Sequence, residues 1–387
     1  MSKQDFEPVP PETISSFSCA AEDGAICADN LPTFFPALKQ QLHHRLAYQT
    51  GDPHLWQRQA RPEAARLMLP GLDNPDMLLS GAVDAQEAEA FSPTLLDEID
   101  RGAFMARRVR FTLRPGCAVV ALILVPKGAG PFPGIMWLHD HGARFDIGKE
   151  KGMRPWYDEA KLAASQAWAE RYFSGLFPAE ELARRGYMVF AIDALGWGDR
   201  QGNGYEAQQA LACNLLNIGH SLAGMVAEDD LLSLRFIQTQ PELDASRIAA
   251  VGFSFGAFRA WQLAALSPHV KAAVAICWMG ACRELMVPGN NQLRGQSAWY
   301  MTHPGLVRLL DYPDVAALAA PKPLYFIAGK EDALFPLPAV ELAYEKLQGV
   351  WRAFGAQARL KTEICAGGHH FDQVRQEAVF TWLAARL

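Results

Sequence analysis

Charge is scarce in this chain, and its cysteines show no pairing pattern. Charged residues make up 20% of the 387 positions, with 36 Lys and Arg set against 42 Asp and Glu. The resulting formal net charge of −6 provides no basic footprint for a phosphate backbone, so nucleic acid is not expected as a partner. Seven Cys, at 19, 27, 117, 213, 277, 282 and 365, include no Cys-x-x-Cys. That usage suits reduced thiols better than a disulfide framework or a structural zinc site. Long apolar runs are missing too: Cys117 to Val125 spans nine residues, about half of a membrane helix. Met1 to Pro11 is polar and acidic, with no basic stretch leading into an apolar core, so no export signal is expected. The expectation is a cytoplasmic protein with no membrane partner. What the chain does have is hydrophobic mass. Half of its residues are apolar, including 10 Trp and 21 Phe, which excludes disordered, collagen-like and coiled-coil classes.

Residues 1–105 are rich in Pro, Ala, Leu and charge, and Phe35 to Tyr48 and Arg61 to Leu69 carry helical apolar spacing. This predicts an N-terminal helical extension. From Ala106 the period shortens. Arg108 to Leu113 and Ala118 to Val125 flank Arg114-Pro115-Gly116, which predicts an antiparallel hairpin. Six short apolar runs then alternate with helical patterns: Gly134 to Leu138, Met188 to Ile192, Ile248 to Val251, Ala273 to Ile276, Leu324 to Ala328 and Leu360 to Ile364. The prediction is an α/β catalytic domain over residues 106–387, a mostly parallel twisted sheet with helices on both faces. An aromatic insertion interrupts it at about 143–186, with Trp156, Tyr157, Trp168, Tyr172 and Phe173. It reads equally well as part of a lid or as an extra helix packed on the domain surface.

The chemistry centres on Gly252-Phe253-Ser254-Phe255-Gly256, entered by an apolar strand and left by the amphipathic run Ala257 to Leu266. A Gly-x-Ser-x-Gly between strand and helix is the mark of a serine held on a sharp, strained turn. The glycines tolerate that backbone and let strand and helix close up. Gly219-His220-Ser221-Leu222-Ala223 lacks both the second glycine and the preceding strand; Ser221 is instead expected to cap the helix Leu222 to Gln238. A serine needs a base, and the base needs a carboxylate to orient it. In this chain order both follow the serine. Asp332, in the turn Gly329-Lys330-Glu331-Asp332, is the expected acid, with Glu331 as rival and a helix cap as its bland alternative. His369, directly after Gly367-Gly368, is the expected base, with His370 as rival.

Acyl transfer further needs donors for an oxyanion. One is expected from the amide of Phe255, the other from the loop after Gly134 to Leu138, near His141 with Gly142 or Ala143 as neighbouring choices. Trp278 and Met279 after one strand, together with Phe253 and Phe255, would wall an acyl pocket or else pack the core. Two other classes remain open at this point. His139-x-His141 at a strand end has metal-ligand spacing, which would suit a metal-dependent hydrolase, and a non-catalytic binding protein could keep the fold.

Residues about 106–387 resemble the α/β-hydrolase superfamily, specifically dienelactone-hydrolase-like and acetyl xylan esterase-like bacterial esterases. The residues that carry the resemblance are Leu138-His139-Asp140-His141-Gly142, Gly148-Lys149-Glu150-Lys151, Gly196-Trp197-Gly198-Asp199-Arg200, Gly252 to Gly256, Asp311-Tyr312-Pro313-Asp314, Gly329 to Asp332 and Gly368-His369-His370-Phe371. It implies Ser254 as nucleophile, Asp332 as orienting acid and His369 as base. It also implies a serine esterase that passes through an acyl-enzyme, acts on short-chain and above all acetyl esters, carbohydrate esters among them, and needs neither cofactor nor metal. Phe255 and Ala257 stand where many relatives carry other residues. The partner implied is a small-molecule ester.

Overall fold

The computed structural model describes residues 35–72, 81, 83–202, 204–287 and 298–387. Among the described residues nine strands form one sheet: β1 (Thr94–Asp100), β2 (Phe104–Arg114), β3 (Cys117–Pro126), β4 (Phe132–Leu138), β5 (Met188–Ala191), β6 (Leu243–Phe253), β7 (Val270–Ile276), β8 (Leu324–Gly329) and β9 (Leu360–Cys365). Their spatial order is β1-β2-β3-β5-β4-β6-β7-β8-β9. The first three pair antiparallel and β3 meets β5 antiparallel, while every pairing from β5 through β9 is parallel. All six apolar runs read from the sequence are strands. The β2–β3 hairpin turns at Pro115-Gly116, with Gly116 at φ +76°, the left-handed position that follows Pro in a tight turn.

Helices cover both faces. They are α1 (Phe35–Gln40), α2 (Pro53–Met68), α3 (Ala85–Ala90), α4 (Glu159–Tyr172), α5 (Pro178–Arg184), α6 (Gly204–Asn217), α7 (Leu222–Gln238), α8 (Phe255–Leu266), α9 (Cys282–Leu285), α10 (Tyr312–Ala317), α11 (Leu337–Ala353) and α12 (Gln373–Ala384). Side chains alternate along the central strands, so Ile135 and Trp137 of β4 enter one core while Met136 and Leu138 enter the other. One core is closed by α2, α7, α8, α10 and α11. The other is closed by the 143–186 insertion, which includes α4 and α5, together with α12.

Three elements depart from the sequence expectation. Within residues 1–105 the structure adds a strand, β1, whose sequence Thr-Leu-Leu-Asp-Glu-Ile-Asp is largely exposed at the sheet edge; polar edge strands lack the apolar alternation that reveals a strand. The helix expected over Phe35 to Tyr48 stops at Gln40. Beyond it the backbone is claimed by another segment, with Arg45 and Leu46 amides donating to the Arg308 and Leu309 carbonyls at 3.1 and 2.8 Å. Helix α2 begins at Pro53 rather than Arg61, capped by the Asp52 side chain, which accepts from the His54 amide at 2.9 Å. Proline in the first turn and an acidic cap outweigh the sparse apolar spacing there. Among the described residues no single helix is long and apolar enough to cross a membrane.

Ser221 caps α7 as expected, its hydroxyl accepting from the Gly224 amide at 2.9 Å. Ser221→Ala leaves that buried amide without a partner and is expected to cost about 1 kcal/mol, read as a lowered midpoint of urea unfolding.

Candidate active site

At the end of β6 the chain reverses into α8 through Ser254, whose φ of +54° and ψ of −121° lie outside the ordinary regions for a residue with a side chain. Such a conformation costs of the order of 1–3 kcal/mol and persists only where the surroundings impose it. The surroundings here are backbone. A Cβ on Gly256 would lie 1.8 Å from the Leu138 carbonyl oxygen at the end of β4, and one on Gly252 would lie 2.2 Å from the Gly256 carbonyl. Only glycine fits at either position. The turn presents Ser254, half-buried, to a cavity of about 330 Å³ that His369 also lines.

His369 is held from the side away from the cavity. Its Nδ1 donates to Asp332 Oδ2 at 2.6 Å, while Asp332 Oδ1 accepts from the Leu334 amide at 2.9 Å. Asp332 is buried and does not cap a helix; the residue preceding α11 is Pro336. Its rival Glu331 is exposed, and its carboxylate accepts from the Gly367 amide, which ties the two loops together. A Cβ on Gly329 would lie 2.3 Å from the Gly368 carbonyl, so these loops also meet backbone to backbone. His370 is exposed and is not among the residues lining the cavity. The ring of His369 packs on Phe253, centroids 4.8 Å apart, and stacks over Phe335.

Residues 139–143 run over the N-terminus of α8. Both ring nitrogens of His139 are committed: Nδ1 donates to the Asp140 carbonyl and Nε2 accepts from the Ala194 amide, each at 2.9 Å. Burial, and the nearby Arg259 and Lys151 charges, drive its pKa well below the ordinary range. A neutral His139 with no spare lone pair does not serve the metal reading of His139-x-His141. His141 is pushed down to about 3 by burial and by Lys151, and its Nδ1 accepts from the Ala143 amide at 3.1 Å. With Ala143 so engaged, the His141 and Gly142 amides are left with no acceptor among the described residues. The Phe255 amide is likewise without one, as expected for the first residue of a helix.

Two fully buried lysines in the 3-10 turn Lys149–Lys151 stand behind this loop. Lys149 Nζ reaches Asp193 at 2.5 Å, Asp199 at 2.8 Å and Glu150 at 3.2 Å. Burial works against its charge, but those carboxylates more than offset it and raise its pKa. Two motifs about 50 positions apart in sequence thus meet in one ion cluster. Lys151 Nζ donates instead to the Asp140 and His141 carbonyls, both at 2.8 Å. In the sequence this segment stands out only through the family resemblance; the local signal is two lysines flanking an acid, Lys149-Glu150-Lys151.

The walls of the cavity include Trp168, Tyr172, Tyr205, Phe253, Phe255, Trp278, Met301, Leu334 and Phe335. Trp278 and Phe253, two of the expected pocket residues, are among them. Met279 is absent from the lining; it is buried in the same core as Trp278. The insertion contributes to both cavity and core: Trp168 and Tyr172 line the cavity while Ile147, Met153 and Phe173 pack the core.

Residues 178–371 match the model of the Dienelactone hydrolase family. The chain is 29% identical over 254 residues to the hydrolase YtaP of Bacillus subtilis (strain 168), covering 65% of this chain and 78% of that protein. It is 26% identical over 204 residues to Esterase FrsA of Shigella boydii, covering 51% of this chain and 38% of that one. In fold it is similar to a Bacteroides fragilis protein described as an acetyl xylan esterase, with a TM-score of 0.65, 18% identity, and coverage of 84% of this chain and 80% of that chain. A glucuronoyl esterase from Solibacter usitatus gives a TM-score of 0.60 at 14% identity over 89% and 98% of the two chains. The family match takes in the strand-to-helix turn at Ser254, the turn at Asp332 and the loop at His369, half of the chain in all: this chain belongs to the dienelactone hydrolase family.

Proposed function

We propose that the chain is a serine esterase that hydrolyses short-chain, above all acetyl, carboxylic esters. The observation that carries the proposal is Ser254 on its strained turn sharing one cavity with His369, whose far nitrogen is bonded to buried Asp332 at 2.6 Å. With Nδ1–H held by the carboxylate, Nε2 is the nitrogen left to take the Ser254 proton as Oγ attacks the ester carbonyl. The Asp332 carboxylate stabilises the imidazolium that forms. The oxyanion draws on the Phe255 amide at the head of α8 and on an amide of the 139–143 loop. Collapse expels the alcohol, which takes the proton back from His369 and leaves the acyl group on Ser254. Water then repeats the sequence and releases the acid.

The acyl reading rests on Trp278, Met301, Leu334 and Phe335, which close one side of the cavity with apolar bulk. Carbohydrate esters are the natural-substrate class proposed, in keeping with the names of the fold's neighbours.

On p-nitrophenyl acetate, Ser254→Ala and His369→Ala are each expected to lower kcat by three orders of magnitude or more. His370→Ala is expected to stay within about fivefold of wild type, and chelator is expected to leave the rate unchanged. Chelator-sensitive turnover that survives in the Ser254 variant would refute the proposal. Across p-nitrophenyl esters of rising length, kcat/KM is expected to fall at least tenfold beyond about four acyl carbons, since overfilling a packed pocket costs roughly 1–3 kcal/mol. A preference for octanoyl over acetyl esters would overturn the short-pocket reading.

A further inference from the structure

A buried ammonium that spends its short hydrogen bonds on main-chain carbonyls, with its carboxylate partner standing farther off, is uncommon, and Lys151 is such a group. Its side chain is fully buried, its nearest carboxylate oxygen, Asp140 Oδ2, stands 3.6 Å away, and its two hydrogen bonds go to main-chain carbonyls. Burial lowers its pKa, with Asp140 opposing. Both carbonyls belong to the loop that crosses the head of α8. The Asp140 oxygen also accepts from His139 Nδ1, and the His141 oxygen from Trp197 Nε1 at 3.1 Å. Four hydrogen bonds from three side chains therefore draw two successive carbonyls into the protein interior.

A trans peptide is planar, with its N–H antiparallel to its C=O. Pulling the Asp140 carbonyl inward turns the His141 amide outward, and pulling the His141 carbonyl inward does the same for the Gly142 amide. These two amides have no acceptor among the described residues, and His141 and Gly142 line the cavity beside Ser254. On the other side the loop cannot swing back. The Trp168 ring occupies the space where a Gly142 Cβ would be, 2.0 Å from that position, and its Nε1 donates to Asp140 Oδ1 at 3.3 Å.

We propose that Lys151 is a positioning residue for the oxyanion site: through the Asp140 and His141 carbonyls it sets the direction of the loop amides that meet the developing negative charge, with Trp197 as the second donor to the same loop. The proposal deepens the serine-esterase reading and rests on it. Lys151 touches neither substrate nor the reacting atoms. What it controls is the orientation of dipoles before the reaction, which is where oxyanion stabilisation gains its strength, because no reorganisation is needed as charge appears. The ammonium also places a positive charge behind those dipoles.

The test uses the full chain, with active sites counted by fluorophosphonate labelling carried to completion, and p-nitrophenyl acetate as substrate. Lys151→Met keeps the apolar stem and removes the donors. Its kcat per active site is expected to fall about 100-fold, the usual scale for loss of an oxyanion donor, with KM within about twofold. A trifluoromethyl ketone, whose hemiketal oxygen occupies the same site, is expected to lose affinity by a similar factor. Lys151→Gln, which retains two N–H donors without the charge, is expected to recover at least a fivefold share of the lost kcat. Trp197→Phe keeps an aromatic ring in the core and removes the other donor to the His141 carbonyl; its kcat is expected to fall about fivefold at unchanged KM. That variant decides the matter if Lys151→Met does not fold. Wild-type kcat and ketone affinity in whichever of these variants folds, or a change confined to KM, would overturn the positioning role while leaving the esterase reading intact. A wild-type protein that hydrolyses no ester would overturn the esterase reading itself.

Discussion

Everything at this site depends on one backbone-to-backbone contact, where the first turn of α8 lies directly on the end of β4. Gly256 and the Leu138 carbonyl leave no room for even a methyl group between them. The closeness brings the positive end of α8, the Ser254 turn and the 139–143 loop into the same few ångströms. It also explains how an unfavourable φ at Ser254 is sustained: Ile248 to Phe253 of the strand before it and the whole helix after it are buried, so relaxing one residue would unpack two elements.

The second dependence is electrostatic. The segment 149–151 carries two ammonium groups into the interior and gives them opposite tasks. Lys149 gathers Glu150, Asp193 and Asp199 and so joins the loop after β5 to the insertion. Lys151 serves the loop after β4. Burying such charges is expensive unless their partners are complete, and removing one partner of a buried set commonly costs 3–5 kcal/mol. The insertion is therefore committed to the domain: its ions are internal, its Trp168 is wedged against Gly142, and its Phe173 shares a core with β6 and α12. A lid that opens and closes freely could not carry this load.

Legibility in the sequence tracks how local each signal is. The six apolar runs became strands and the run after Ser221 became a capped helix because periodicity and capping are read over a few residues. The candidate positions Ser254, Asp332 and His369 stand out in the sequence because each sits at a strand end beside glycines, and contacts that a Cβ would break at Gly252, Gly256 and Gly329 give the reason for those glycines. The polar edge strand β1 and the early end of α1 were not legible, since the first pairs its backbone with β2 and the second yields its backbone to residues 308–309. Partners so distant in the chain leave no local pattern.

The sequence by itself determined the architecture, the order of the candidate nucleophile, acid and base, and the need for glycine around them, because these follow from backbone geometry and short-range spacing. Only the tertiary structure decided which nitrogens of His139 and His141 are free, which of the loop amides lacks an acceptor, that Trp278 and not Met279 faces the cavity, and that Lys151 stands behind the loop. Each of those depends on a direction in space, and direction is set by packing between segments that the chain keeps far apart.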